Sequence, residues 1–435
     1  MFFSGAPFEF SKGASFLTQP NATHATLAPT FKQTGGTNMS ISSETLVQNM
    51  NHEIAAIQPS DILAFNAEIA NIPGIVRLTL GEPDFDTPEH VKQAAIQSIE
   101  NNESHYAPSN GTPALREAAA NFLAKKYDVH YDPASEVIIT AGATGGIYTA
   151  LSSILNPGDE VLIPTPIFPL YIAIAKLNGA TPVFMDTSKN GFVLSPEMLK
   201  ETLAAHPKTK AVVLNFPSNP TGVTYREDDL RALAAVLADK PIFVLSDEIY
   251  SELTYGATHV SIARYLPEQT ILLNGVSKSH AMTGWRIGIM CAPKAITAQL
   301  GKIHQFTVTS TTTNAQAAAA EALSNGMDDA QAMKKEYQAR RDYLYDALNK
   351  LGFESAKPEG AFYLFSKIPA GLPQDSMAFC RELAHEARVA LIPGSSFGPG
   401  GEGYVRISYA ASMDNLKTAV ERIGEYVGKK AAEEK

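Results

Sequence analysis

The sequence predicts an α/β protein built on a mainly parallel sheet, followed by a smaller α+β domain. Three observations predict it. Short apolar runs of strand length recur every 20 to 30 residues or so through the middle of the chain, segments of helical period lie between several of them, and the pattern changes beyond residue 351. With 435 residues, 45% of them hydrophobic and 18% charged, the chain carries enough apolar material for a large core.

Taken in order, residues 1–38 are rich in Ser, Thr, Gly, Ala and Phe without a period and read as an appended leader, with Met39 opening more ordinary sequence. Residues 39–86 are assigned to an N-terminal segment that contributes to the small domain, and Ile54 to Asp61 within it is either a lid or an amphipathic docking helix. The large domain is expected over 87–325. Its strands are read at Val137 to Thr140, Val161 to Ile163, Pro182 to Met185, Ala211 to Leu214, Ile242 to Leu245 and Ile271 to Leu273, with a helix such as Asp228 to Ala238 between two of them. Helices follow from Asn314 to Asn325 and from Ala330 to Leu351. The small domain, 326–435, is given strands at Phe362 to Phe365, Val389 to Ile392 and Tyr404 to Tyr409, helices at Ser376 to Ala387 and Met413 to Val427, and a mixed or antiparallel sheet.

A net charge of −10 argues against nucleic acid and anionic membranes as partners. No run of eighteen apolar residues is present. The two cysteines, Cys291 and Cys380, form no C-x-x-C pair, lie near no metal-spaced histidine and cannot build a disulfide framework. A reducing cytoplasm fits that composition, and no metal site is expected.

In open α/β sheets ligands sit beyond the carboxyl ends of the strands, so the residues that follow each strand are the ones to read for chemistry. Ala141-Gly142-Ala143-Thr144-Gly145-Gly146 is either a phosphate cradle at a helix start or a tight strand-to-helix turn, and it matches neither the dinucleotide-binding nor the P-loop pattern. Asn215-Phe216-Pro217-Ser218-Asn219-Pro220-Thr221-Gly222 can hold the Asn219 amide in one orientation or be an ordinary Asn-Pro turn. In Ser246-Asp247-Glu248-Ile249-Tyr250 an acid stands at the top of a buried strand, where a helix cap or ion-pair role competes with a functional one. Lys278, among small residues at the next strand end in Asn274-Gly275-Val276-Ser277-Lys278, is placed where a desolvated amine loses basicity and becomes a Schiff-base nucleophile.

Asn219-Pro220-Thr221-Gly222, Ser246-Asp247-Glu248-Ile249-Tyr250 and Ser277-Lys278 with Arg286 eight residues after the lysine together resemble the class I/II aminotransferases, pyridoxal-phosphate enzymes of fold type I. The resemblance extends from about Gln48 to Val427. It implies the fold type I architecture and the cofactor pyridoxal 5'-phosphate, with Lys278 as covalent tether and proton shuttle and Asp247 as partner of the ring nitrogen. It further implies Asn219 and Tyr250 as donors to the cofactor's phenolic oxygen, and Phe168 stacked on the ring, although a buried core phenylalanine fits that position too. Gly142, Ala143, Thr144, Ser277 and Arg286 are implied as phosphate ligands, and Arg406 and Gly81 as holders of the substrate α-carboxylate. Tyr106 is implied to reach the phosphate in a neighbouring subunit, which makes the active unit a homodimer. Gly275 departs from the many relatives with serine three residues before the lysine.

The function expected on this resemblance is ping-pong transfer of an amino group from an L-amino acid, aromatic ones favoured, to a 2-oxo acid such as 2-oxoglutarate. N-acetyl-diaminopimelate or aspartate aminotransferase and a cystathionine-type carbon-sulfur lyase are the alternatives. A cofactor-sensing regulator would need a basic DNA-binding segment that residues 1–38 do not show.

Overall fold

The computed structural model describes residues 41–433. The leader read at 1–38 therefore lies outside the described residues. Contacts divide the chain at Met50 into two units. Of the first, residues 41–50 are described and carry the helix Ser43–Val47, whose first turn is capped by the Ser42 hydroxyl. Everything below belongs to the second.

Its strands are β1 (Val76–Arg77), β2 (Val137–Ala141), β3 (Glu160–Thr165), β4 (Thr181–Asp186), β5 (Thr209–Asn215), β6 (Phe243–Asp247), β7 (Thr270–Gly275), β8 (Ile287–Cys291), β9 (Tyr363–Lys367), β10 (Val389–Ala390), β11 (Ile392–Pro393) and β12 (Tyr404–Ser408). Seven of them form one sheet in the order β2-β8-β7-β6-β5-β3-β4. Neighbours from β7 across to β4 pair in parallel, whereas β8 is antiparallel to both β2 and β7. Every strand but β8 thus points the same way.

The inner strands are apolar along their length because both sheet faces are covered by helices, which is why they read as continuous hydrophobic runs. The covering helices carry their own start signals. Thr112 caps Pro113–Tyr127 with proline at its start, Ser195 caps Pro196–Ala205, and Glu227–Leu237 opens on three acids that complement its dipole.

Strands β9, β12 and β11 make a small antiparallel sheet, and β1 pairs in parallel with β10. β1 is thereby joined to the C-terminal part of the chain. Around this small sheet the helices Ala330–Lys350, Ser376–Glu386 and Met413–Glu433 bury an aromatic-rich core that includes Phe353, Phe362, Phe365, Phe379 and Tyr409.

Two details differ from the sequence expectations. Ile287–Cys291, absent from the strands expected from sequence, is a full inner strand that closes β2 onto β7. Its Gly288 crosses so close to the turn after β2 that a Cβ there would overlap the Gly142 backbone, so this strand needs a glycine that weakens its strand signal. The run Val389 to Ile392 is split between two sheets, β10 pairing with β1 and β11 with β12.

Candidate active site

The carboxyl ends of β2, β3, β5, β6 and β7 converge on a cavity of about 420 Å³. Of the residues singled out in the sequence, Gly81, Ala143, Thr144, Phe168, Asn219, Asp247, Tyr250, Ser277, Lys278, Arg286 and Arg406 all line it. Gly142 stands just behind, with φ +69°, and a Cβ there would overlap the Arg286 guanidinium. Tyr106 is not brought in. It is 88% exposed, on the segment whose His105 carbonyl accepts from Thr313. Among the described residues the lining begins with Ile62 and Leu63 on the helix Asp61–Glu68, one position past the segment read as a lid candidate.

Asp247 closes β6 and is buried. Its carboxylate accepts from the Tyr171 hydroxyl at 2.6 Å and the Ile249 N–H at 3.1 Å, while its backbone carbonyl accepts from Asn215 at 3.2 Å. Desolvation pushes this acid up to about 6 although both hydrogen bonds pull it down. A buried carboxylate so placed is ready for a cationic partner.

Lys278 lies in the short helix Val276–Ser279 that follows β7. Its amine donates to the Gly81 carbonyl at 2.5 Å and stands 5.7 Å from the Tyr250 ring centroid. Burial lowers the amine to about 8, with Arg286 and Arg406 pushing the same way and Glu82 and Asp247 opposing. Gly275 is crowded: a Cβ would come within 3.0 Å of the Ile287 carbonyl and 3.1 Å of the Ile249 side chain, so a serine here would force its neighbours apart.

Arg286 ends the turn Thr283–Trp285 with φ +55° and ψ +48°, a left-handed conformation that costs a non-glycine residue about 1 kcal/mol. That turn points its guanidinium toward the start of the helix Gly142–Ile154, and its Nη1 donates to the Thr283 carbonyl at 2.9 Å. Helix N-terminus and guanidinium together favour an anion.

Arg406 comes from β12, on the other side of the cavity, and is 3% exposed. Its Nη1 donates to Asn219 Oδ1 at 3.0 Å and its Nη2 to the Thr79 carbonyl at 2.8 Å, while the Tyr363 ring lies 4.5 Å from the guanidinium carbon. Nε has no partner among the described residues. A buried guanidinium held only by neutral acceptors, with a donor to spare, is suited to a carboxylate. Because Asn219 gives its oxygen to Arg406, its amide nitrogen is the atom left to donate.

Among the cavity residues that the sequence reading did not single out, three fix the groups just described. Tyr171 holds Asp247, Tyr363 meets the Tyr250 hydroxyl at 2.8 Å, and Asn215 fixes the Asn219 N–H at 3.0 Å. Tyr171 sits in the apolar helix Leu170–Leu177, where nothing local separates it from core. Asn215 alone carried a signal, as the polar residue that ends a buried strand.

An anion cradle, a desolvated amine, a buried acid and an arginine short of a partner form a donor set that fits pyridoxal phosphate. The family profile described as "Aminotransferase class I and II" matches residues 73–423. The chain belongs to this family. It is a pyridoxal-phosphate-dependent aminotransferase of fold type I. The aminotransferase is 48% identical over 381 residues to the "Probable N-acetyl-LL-diaminopimelate aminotransferase" of Bacillus subtilis, covering 88% of this chain and 96% of that protein. It is 41% identical over 395 residues to an aspartate aminotransferase of Geobacillus stearothermophilus, covering 87% and 98%. Among solved structures it resembles an aromatic aminotransferase from Pyrococcus horikoshii, with a TM-score of 0.79 and 38% identity over 85% of this chain and 99% of that one.

Proposed function

We propose that the aminotransferase moves the amino group of an apolar or aromatic L-amino acid to a 2-oxo acid such as 2-oxoglutarate. The observation that carries the substrate class is the makeup of the cavity wall. Its cations are Lys278, Arg286 and Arg406, each already assigned a task, and Ile62, Leu63 and Leu80 line it as well. Among the described residues no further cation lines the cavity to receive an acidic side chain.

When bound, pyridoxal phosphate supplies the aldehyde and electron-withdrawing ring that make amino exchange possible at an α-carbon. The chain does the rest. Lys278 would hold the aldehyde and, as a free amine of lowered basicity, would take and return the α-proton. Asp247, steadied by Tyr171, would pair with the ring nitrogen, Tyr250 and Asn219 would donate to the phenolic oxygen, and Phe168 would cover the ring. Gly142, Ala143, Thr144, Ser277 and Arg286 would hold the phosphate. Arg406 and Gly81 orient the α-carboxylate, which fixes the α-hydrogen relative to Lys278.

A second reading has one observation of its own. The 48% identity to a protein named as a probable N-acetyl-LL-diaminopimelate aminotransferase supports that amino acid as donor. One panel separates the readings: phenylalanine, tyrosine, aspartate, N-acetyl-LL-diaminopimelate and cystathionine, each with 2-oxoglutarate, followed by keto-acid and ammonia release. The proposal expects the highest kcat/KM with the aromatic donors. A clear preference for N-acetyl-LL-diaminopimelate or aspartate sinks the aromatic assignment, and pyruvate with ammonia from cystathionine would mark a lyase.

The active unit is proposed to be a homodimer. An apolar groove containing Ile96, Ile99 and Trp285 reaches Arg286, which also lines the active-site cavity. Ile99 is 61% exposed, and Tyr106 and Phe306 are nearly bare. Light scattering is expected to give twice the 46.7 kDa chain mass. Tyr106→Phe is expected to weaken retention of pyridoxal phosphate; a fully active monomer contradicts the shared site.

A further inference from the structure

Immediately behind Asp247 lies a second carboxylate that the reaction as described does not use. Successive residues turn to opposite faces where β6 ends: Asp247 lines the cavity, and Glu248 points into the protein on the other side with no solvent exposure. A bare buried carboxylate is costly, and this one is fully provided for. It accepts from the Ser246 hydroxyl at 2.8 Å, the Ser261 hydroxyl at 2.7 Å and His259 Nε2 at 2.7 Å.

The histidine is fixed as firmly as the acid. Its ring stacks on Phe216 at 5.4 Å and meets the edge of Tyr127 at 5.1 Å, and the Tyr127 hydroxyl is itself tied to Ser251 at 2.8 Å. Nδ1 of His259 has no hydrogen-bond partner among the described residues. A proton on Nδ1 would be a buried, unsatisfied donor, so Nε2 is the ring atom that turns its N–H to Glu248. Glu248 acts electrostatically on Tyr127, Tyr131 and Asp247, while Tyr171, Tyr250 and Lys278 face Asp247 from the cavity side.

We propose that Glu248 is a second buried carboxylate serving the cofactor site, so that the ring nitrogen of pyridoxal phosphate would be held protonated by two carboxylates, and that His259 is the positioning residue that keeps Glu248 in place. This rests on the reading that Asp247 faces the ring nitrogen. Two like charges side by side repel, and Glu248 accordingly opposes ionisation of Asp247. That repulsion is relieved when a cation is bound between Asp247 and the cavity, so the pair selects for the cationic ring.

The test compares two probes on the full chain: pyridoxal phosphate and its 1-deaza analogue, which has carbon in place of the ring nitrogen and cannot carry the charge. Glu248→Gln is expected to weaken pyridoxal phosphate about tenfold, the equivalent of one unit of pKa interaction, and to leave the analogue unchanged. His259→Phe should do the same, whereas His259→Asn, which keeps an N–H donor, should restore binding of pyridoxal phosphate to within about twofold of wild type. Equal loss for both probes, or none for either, overturns the proposal, as does failure of His259→Asn to rescue. Asp247→Asn distinguishes the two levels: if it fails to discriminate between the probes, the Asp247 reading falls and this one with it. If it discriminates while Glu248→Gln does not, only the present inference is lost.

Discussion

Lys278→Ala is expected to lower amino transfer by about four orders of magnitude or more, because one side chain performs both the covalent attachment and the proton transfer. Borohydride treatment followed by peptide mapping should label Lys278 in the wild type and nothing in the variant. Turnover within tenfold of wild type would overturn the assignment. The pH dependence has a definite sign. Only the neutral amine is a nucleophile or base, and burial has lowered this one to about 8. At pH 8 half of it is therefore neutral, against roughly one part in 300 for an ordinary lysine. Capture of an added aldehyde by the cofactor-free chain should rise tenfold per pH unit below 8 and level off above it. Glu82 pulls the amine upward, so Glu82→Gln should move the midpoint to lower pH. A midpoint near 10, or one that Glu82→Gln moves upward, contradicts this account.

The lysine and its surroundings show how much was legible in the chain. Residues that end strands announce themselves, since the sheet requires an apolar run and then stops: Asp247, Asn215 and the Gly142 turn stand at such points, and Lys278 follows one closely. Six of the seven strands of the large sheet were readable for the same reason. The seventh, Ile287–Cys291, needs its glycine to pass the Gly142 turn, and that requirement exists only in three dimensions. Tyr171 and Tyr363 are hidden by a related limit. Each has a ring buried like any core aromatic, and only the hydroxyl, 2.6 Å from Asp247 in one case and 2.8 Å from Tyr250 in the other, reveals its task. Glu248 was visible beside Asp247 in the sequence, yet its partners His259 and Ser261 are brought to it only by the fold.

The second large effect is expected at Arg406. Removing its side chain deprives the substrate carboxylate of a buried, forked donor and leaves Asn219 Oδ1 and the Thr79 carbonyl without the partners they have now. Losing one partner of a buried charged pair costs about 3 to 5 kcal/mol, so Arg406→Ala should reduce kcat/KM for amino acids by about two to nearly four orders of magnitude. Arg406→Lys keeps a charge but loses the fork and should fall between wild type and alanine. The control is a substrate without the recognised group. Wild type should strongly prefer phenylalanine over phenethylamine, which lacks the α-carboxylate, and Arg406→Ala should lose most of that preference while binding pyridoxal phosphate as before. If the variant keeps the wild-type preference, the carboxylate is held elsewhere. If it loses the cofactor, Arg406 supports the site through Asn219 and not by contact with substrate.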